Sequence, residues 1–176
     1  MSIQGIRSYG PRDQDTQMIE FFTPVTLIIG QNGCGKTTII EALKYATTSD
    51  MPPNTKGASF LFDPKLIDEV ETKARIKLYF RDMSGMVVQV QKNMSCTQKS
   101  KKLEFRTLET IISRYNADDK VISTITSKCI NADQEVVNAF GVTKAVLEHV
   151  IFCHQEDSNW PLSKFLLIYF DYCFIF

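Results

Sequence analysis

The chain has 176 residues, with 20 Lys+Arg set against 20 Asp+Glu, so its formal net charge is zero. That balance excludes a histone-like polycation and an acidic disordered tail, and 44% hydrophobic with 23% charged residues is the composition of a globular domain. At about 150 residues per domain the length fits one domain with or without a short appendage, large enough to bury a core without disulfide staples.

Ile3, Gly5 and Arg7 open a first predicted strand. Val25–Ile29 is a short apolar run between Pro24 and Gly30, and reads as a strand buried on both faces. Thr37–Ala46 reads as a helix, and Met51–Gly57, with its paired prolines, as a loop. Ala74, Ile76, Leu78 and Phe80 alternate with Arg75, Lys77 and Tyr79; Met86, Val88 and Val90 repeat the pattern, which predicts a hairpin with one solvated face. Leu103–Ser113 continues it as a third strand. Gln134–Phe140 reads as a helix stopped by Gly141, Thr143 as the cap of a helix over Lys144–His149, and Val150–Cys153 as a buried strand.

The five cysteines, Cys34, Cys96, Cys129, Cys153 and Cys173, are odd in number and form no CxxC pair, so reduced thiols are expected rather than a disulfide framework or a zinc ribbon. Met1–Arg7 shows no basic stretch followed by an apolar core, and no signal peptide is expected. Phe165–Phe176 is apolar or aromatic at every position but Asp171. It is shorter than the roughly 20 residues a membrane-spanning helix needs, and reads as a cryptic core element or a foreign tail.

The segment from Gly30 to Thr37 fits the P-loop pattern GxxxxGK(S/T) between an apolar strand and a helix. Each part has a physical task. Gly30, Gly33 and Gly35 permit backbone shapes and approaches that a Cβ would block. Successive amides then line a phosphate cradle, and the following helix adds its positive end. Lys36 supplies a mobile charge to the β- and γ-phosphates, Thr37 a hard oxygen for Mg²⁺, and Thr38 a donor to the α-phosphate. Three P-loop classes compete. A small GTPase needs an NKxD motif, which is absent, and the DxxG string Asp82–Gly85 reads as a hairpin turn. A metabolite kinase needs Arg-rich lids, and none is evident. An ABC-type lobe has a hairpin layer after the P-loop helix and a later strand closed by glutamine; Val150–Gln155 supplies one.

The stretches GQNGCGKTTIIEALKY, PPNTKG, FDPK, CTQKSKK and above all VIFCHQEDSNWPLS resemble the eukaryotic DNA double-strand-break repair ATPases, the SMC-like ABC subunits of the MRN/MRX complex, from Ser2 to about Ser163. The resemblance implies an α/β fold: the N-terminal lobe of an ABC-type P-loop NTPase head, a mixed sheet with an antiparallel hairpin layer, over residues 1–163, followed by a divergent hydrophobic tail over 164–176. It implies ATP and Mg²⁺ as ligands, with Asn32, Gly33, Gly35, Lys36, Thr37 and Thr38 matching the phosphate loop. Arg7 matches an arginine that reaches the phosphates, Leu61 and Asp63 positions lying against the nucleotide, and Gln155 a glutamine that completes the metal shell with Thr37. On residues alone, Arg7 reads as a surface strand residue, Asp63 before Pro64 as a turn-former, and Gln155 as unremarkable. His149, Cys153 and His154 read as packing rather than a metal set, and Trp160 as a core anchor. Lys99–Lys102 reads as a solvated charge run, with contact to DNA phosphates as the alternative.

The family's signature motif, Walker B strand, catalytic glutamate, switch histidine, coiled coil and zinc hook have no match in the chain. The implied role is one half of an ATP sandwich, binding ATP–Mg²⁺ with little or no turnover alone. The implied partners are a C-terminal ATPase lobe, a second protomer, a nuclease subunit and DNA, at the chromosome in the nucleus and not at a membrane. The alternatives are a truncated, non-hydrolysing decoy or inert fragment, and another SMC-like P-loop ATPase. The change of character at Lys164 has the look of intron read-through, an alternative terminus or a fragmentary gene model.

Overall fold

The computed structural model describes residues 1–52, 55, 57–99, 102–116, 120–127, 130–152 and 173–175. In chain order these form β1 (Ser2–Gln4), β2 (Gln17–Met18), β3 (Thr26–Ile28), α1 (Lys36–Thr48), β4 (Glu71–Arg81), β5 (Val87–Lys99), β6 (Lys102–Tyr115), β7 (Val121–Ser127), α2 (Ile130–Phe140), α3 (Lys144–Val146), which runs on into a π-turn (Leu147–Ile151), and β8 (Cys173–Ile175).

The alternation read at Ala74–Phe80 builds the main sheet. Six strands pair antiparallel in the order β2-β1-β4-β5-β6-β7. On β4, Thr72, Ala74, Ile76 and Leu78 are buried while Glu71, Lys73 and Tyr79 are exposed. The hairpin is longer than its apolar alternation indicated. Polar residues carry β5 to Lys99 and β6 through Tyr115, and β7 adds a further strand. Between Lys92 and Met94 the register slips by one residue against β6, a bulge that bends the strand and increases its twist.

One face of this sheet carries two apolar clusters. Met1, Ile3, Ile6, Phe60, Leu61, Ala74, Ile76, Leu78, Met94 and Cys96 meet Ala42, Leu43, Tyr45 and Ala46 of α1. Val88, Val90 and Ile112 meet Ala132 and Val136 of α2. Phe80 and Phe140 stack with ring centroids 4.0 Å apart, and both pack against each cluster, tying the two together.

Lys92 occupies an inward position of β5, in phase with Val90 and Met94, and is 2% exposed. Its ammonium lies 2.6 Å from both Ser49 Oγ and Asp133 Oδ1, and Ser49 donates to the same Asp133 oxygen at 2.5 Å. A buried charge is tolerated where a counter-charge and hydrogen bonds satisfy it. Here the arrangement joins β5, the end of α1 and the first turn of α2.

Several sequence expectations are corrected. The first strand ends at Gln4, because Gly5 (φ 69°) and Arg7 (φ 47°) leave extended geometry. Helix α2 starts at Ile130, a turn earlier than the apolar spacing placed it. Thr143 is extended and precedes α3, yet its side chain makes no capping bond; its carbonyl accepts from Val146 and Leu147 instead. Val150 and Ile151 close the π-turn rather than open a strand. The apolar run Val25–Ile29 forms β3, but Val25, Leu27 and Ile29 are 45%, 45% and 72% exposed. Its strand propensity was legible, whereas burial depends on neighbours, and among the described residues its paired strand is β8 alone. Cys153, His154, Gln155 and Trp160 lie outside the described residues, as does the tail apart from β8. Among the described residues no helix is long and apolar enough to cross a membrane.

Asp82–Gly85 is the β4–β5 turn, closed by Gly85 N–H donating to the Asp82 carbonyl at 2.9 Å. The Asp82 carboxylate accepts from the Ser84 hydroxyl and from the Ser84 and Met86 amides. The Ser84 hydroxyl does most to hold its pKa below the usual 3.8. A depressed carboxyl contributes stability above its unfolded pKa and loses it as pH falls through the folded value. Asp82→Ala is therefore expected to melt below wild type at neutral pH, with the gap closing below about pH 4; melting curves across pH check this. Lys92→Ala, which leaves Asp133 without its counter-charge, is expected to cost about 2–4 kcal/mol, read as a shifted urea midpoint at unchanged slope.

Candidate phosphate-binding site

The loop from Gly30 to Gly35 connects β3 to α1. Gly33 (φ 84°) and Gly35 (φ 86°) both hold left-handed backbone, which costs an L-residue about 1–2 kcal/mol. Gly35 is the N-cap of α1 and supplies no side-chain hydrogen bond to the first turn. Helices usually start on Ser, Thr, Asp or Asn, whose side chains accept from the orphan amides. Here those amides are left without a side-chain cap, at the positive end of a 13-residue helix. The three glycines differ in what they do. Gly33 has open space where a Cβ would sit, so only its φ demands glycine, whereas a Cβ on Gly35 would come within 3.0 Å of the Tyr9 hydroxyl. Gly30 has neither a positive φ nor a clash, since a Cβ there would meet Cys34 at an ordinary 3.7 Å.

Lys36 bends back over the loop and donates to the carbonyls of Gly30 at 2.6 Å and Gln31 at 2.9 Å. Its ammonium is thus held at the loop by neutral acceptors for which an anion would compete. Asn32 and Thr37 are exposed beside it, while Thr38 is 4% exposed and turned into the protein. Tyr9 lies against the start of α1, its hydroxyl 3.5 Å from the Gly35 carbonyl. Burial pushes its phenol pKa above the usual 10.0, and the nearby Cys34 adds to the rise. An open hollow of about 450 Å³ adjoins the loop here, bordered by Tyr9, Asp15, Gln17 and Cys34.

The remaining expected site residues fall differently. Arg7 leaves the strand and reaches α1, with its Nη2 at 3.0 and 2.9 Å from the two oxygens of Glu41, one helical turn beyond Thr37. Leu61 is 3% exposed within the core and bridges Ile6 through its backbone. Asp63 caps the short turn Pro64–Ile67, accepting from the Lys65 amide at 3.0 Å. Arg7 and Leu61 therefore gather beside α1, joined by adjacent bonds such as Arg7 N–H to the Phe60 carbonyl at 3.0 Å. Gln155 lies outside the described residues. Sequence reasoning missed Glu41 and Tyr9. Glu41 carried a usable signal, four residues after Thr37 on one helix face; Tyr9 carried none.

Comparison with known proteins sharpens the assignment. Residues 1–168 match the AAA domain family. The chain is 47% identical over 164 residues to "DNA repair protein RAD50" of Dictyostelium discoideum, covering 92% of this chain and 12% of that protein. It is 48% identical over 165 residues to "DNA repair protein RAD50" of Saccharomyces cerevisiae, covering 93% of this chain and 12% of that protein. The "DNA double-strand break repair Rad50 ATPase" of Thermoplasma volcanium is 26% identical over 164 residues, 93% of this chain and 16% of that one. The chain thus spans a small part of the length of the curated relatives it matches.

Gly35→Ala is expected to destabilise the chain by about 1–2 kcal/mol through backbone strain alone, and by more than Gly33→Ala because only Gly35 meets Tyr9. Thermal unfolding of both variants, with and without Tyr9→Ala, separates strain from contact.

Proposed function

The chain belongs to the AAA domain family, and we propose that it is the ATP–Mg²⁺-binding half of a DNA double-strand-break repair ATPase. The observation that carries this is the uncapped start of α1. Two left-handed glycines lead into Lys36, whose ammonium already lies on the loop carbonyls, and Thr37 stands exposed beside it. These residues fit a triphosphate with its metal. The amides and Lys36 would hold phosphate oxygens, the Thr37 hydroxyl is a hard ligand suited to Mg²⁺, and Gln155 would complete the metal shell from the segment after the π-turn. When bound, the metal neutralises charge on the phosphates. The hollow beside Tyr9 leaves room for the rest of a nucleotide. Arg7, held on Glu41 one helical turn beyond Thr37, would reach toward the same phosphates.

In this reading turnover needs a group that orients the attacking water, which a C-terminal lobe would bring. The partners in this reading are a C-terminal ATPase lobe and a second protomer, with a nuclease subunit and DNA, acting at the chromosome in the nucleus. The exposed Leu27 of β3 and its flanking Val25 and Ile29, together with Phe22 at 67% exposure, give such a lobe an apolar surface to cover. The second reading is a non-hydrolysing, truncated product. The pairing of β8 with β3 favours it, because the divergent tail then flanks the strand that leads into the loop.

ATP–Mg²⁺ at about 100 times its dissociation constant adds roughly 2.7 kcal/mol of stability, an upward shift of about 5–10 °C for a chain of this size. Wild type is expected to show that shift in a thermal melt and Lys36→Ala to lose it; equal shifts would dismiss the cradle. Co-expression with the C-terminal lobe is expected to bring ATP hydrolysis, whereas none would favour the truncated product.

A further inference from the structure

Arg7 holds left-handed backbone (φ 47°) although it carries a long side chain. Such strain persists where the surroundings over-determine it, and it gathers at ligand sites. Here the backbone is pinned on both sides: the Arg7 amide donates to the Phe60 carbonyl at 3.0 Å, and the Phe62 amide donates to the Gly5 carbonyl at 2.9 Å. Glu41 then takes the side chain. Both of its carboxylate oxygens meet the single nitrogen Nη2, at 3.0 and 2.9 Å. The Glu41 side chain is 11% exposed and that of Arg7 34%, so the anchor is sunk in the protein while the arginine stays partly open. Arg7 Nε is buried and, among the described residues, meets no hydrogen-bond partner, a costly state for a charged group. A guanidinium carries five N–H donors in a fixed fork. A carboxylate can therefore hold it by one nitrogen and leave other donors for a second anion.

We infer that Glu41 is a positioning residue: from the second turn of α1 it holds Arg7 by Nη2, and so sets the unused Nε–H for the phosphates of a nucleotide at the first turn of the same helix. The inference rests on the ATP–Mg²⁺ reading above, and assigns Glu41 no contact with nucleotide. Glu41 stands four residues after Thr37 on one helix face, so anchor and cradle share one rigid element. Without the anchor, Arg7 is a rotamer-rich side chain that must be ordered each time a ligand binds. With it, the ordering is complete before the ligand arrives. The pair also changes the local charge. A lone carboxylate beside the cradle opposes an incoming triphosphate. Paired with Arg7 it is neutralised, and the ligand meets hydrogen-bond donors instead.

The test is calorimetric titration of ATP–Mg²⁺ into wild type, Glu41→Gln, Arg7→Ala and the double variant, which together form a double-mutant cycle. Removing a negative charge near the cradle would by itself tighten ATP binding. The expected result has the opposite sign: Glu41→Gln weakens binding about three- to ten-fold, as suits the ordering of one long side chain, and causes no loss once Arg7 is replaced. In parallel, the Arg7 Nε–H resonance in ¹⁵N NMR is expected to shift when ATP–Mg²⁺ is added to wild type, and to shift less in Glu41→Gln. Where Glu41→Gln or Arg7→Ala does not fold, Glu41→Asp, which keeps the charge and withdraws it by one methylene, and the wild-type resonance decide. A purely structural role would lower the melting temperature of Glu41→Gln and leave its ATP affinity at or above that of wild type. That result, an equal loss in the Arg7→Ala background, or a wild-type Nε–H resonance unmoved by bound ATP overturns the inference while leaving the cradle standing. Wild type that binds no ATP overturns the cradle reading, and the inference with it.

Discussion

Helix α1 has to leave its first amides without a side-chain cap while remaining a helix. Isolated helices of this length are marginal in water, and a glycine N-cap forgoes roughly a few tenths of a kcal/mol against Ser or Asp. Packing makes up the difference. Ala42, Leu43, Tyr45 and Ala46 are buried against the sheet, Tyr45 meets Phe60 with ring centroids 5.6 Å apart, and Thr47 and Thr48 turn their hydroxyls back onto helix carbonyls. Anchorage is concentrated toward the C-terminal half, where Lys92 and Lys144 also converge. The N-terminal turn is thereby released from structural duty and can serve an anion.

How much of this was legible depended on whether the signal was local. The glycines and Lys36 declared the loop because their spacing follows from backbone geometry within eight residues. Alternation at Ala74–Phe80 declared the hairpin because period two is a property of one strand. Lys92 was not singled out: the alternation was followed only to Val90, two residues short of it, and nothing nearby in the chain named Asp133 as its partner. Arg7 shows the limit. Its strand placement failed because a left-handed φ at a non-glycine residue is decided by what surrounds it, and its carboxylate partner is 34 positions away.

The exposed β3 is the same lesson seen from the other side. An apolar, β-branched run was correctly read as a strand, yet a strand's solvent exposure belongs to the assembly around it, and the curated relatives are far longer than this chain. The two apolar clusters, by contrast, close within the described residues, since Phe80 and Phe140 bridge the layer under α1 to the layer under α2. The sheet and its helices therefore have their own core, independent of whatever covers β3.

The strand order has a kinetic consequence. From β4 to β7 each strand pairs with the next in sequence, the β4–β5 turn closing between Arg81 and Val87, so this meander can zip up through short-range encounters. Strand β1 joins it only through distant pairs, Ser2 with Lys77, Ile3 with Ile76 and Gln4 with Arg75, the last 71 positions apart. Closing so long a segment costs more chain entropy than closing a hairpin, and the glycine-rich loop lies inside that segment. The loop between β3 and α1 thus lies inside a junction that closes after the meander, the order in which local contacts precede distant ones. Reopening that junction would free β1 while the meander stays paired, a partial opening of the kind that amide exchange reads out.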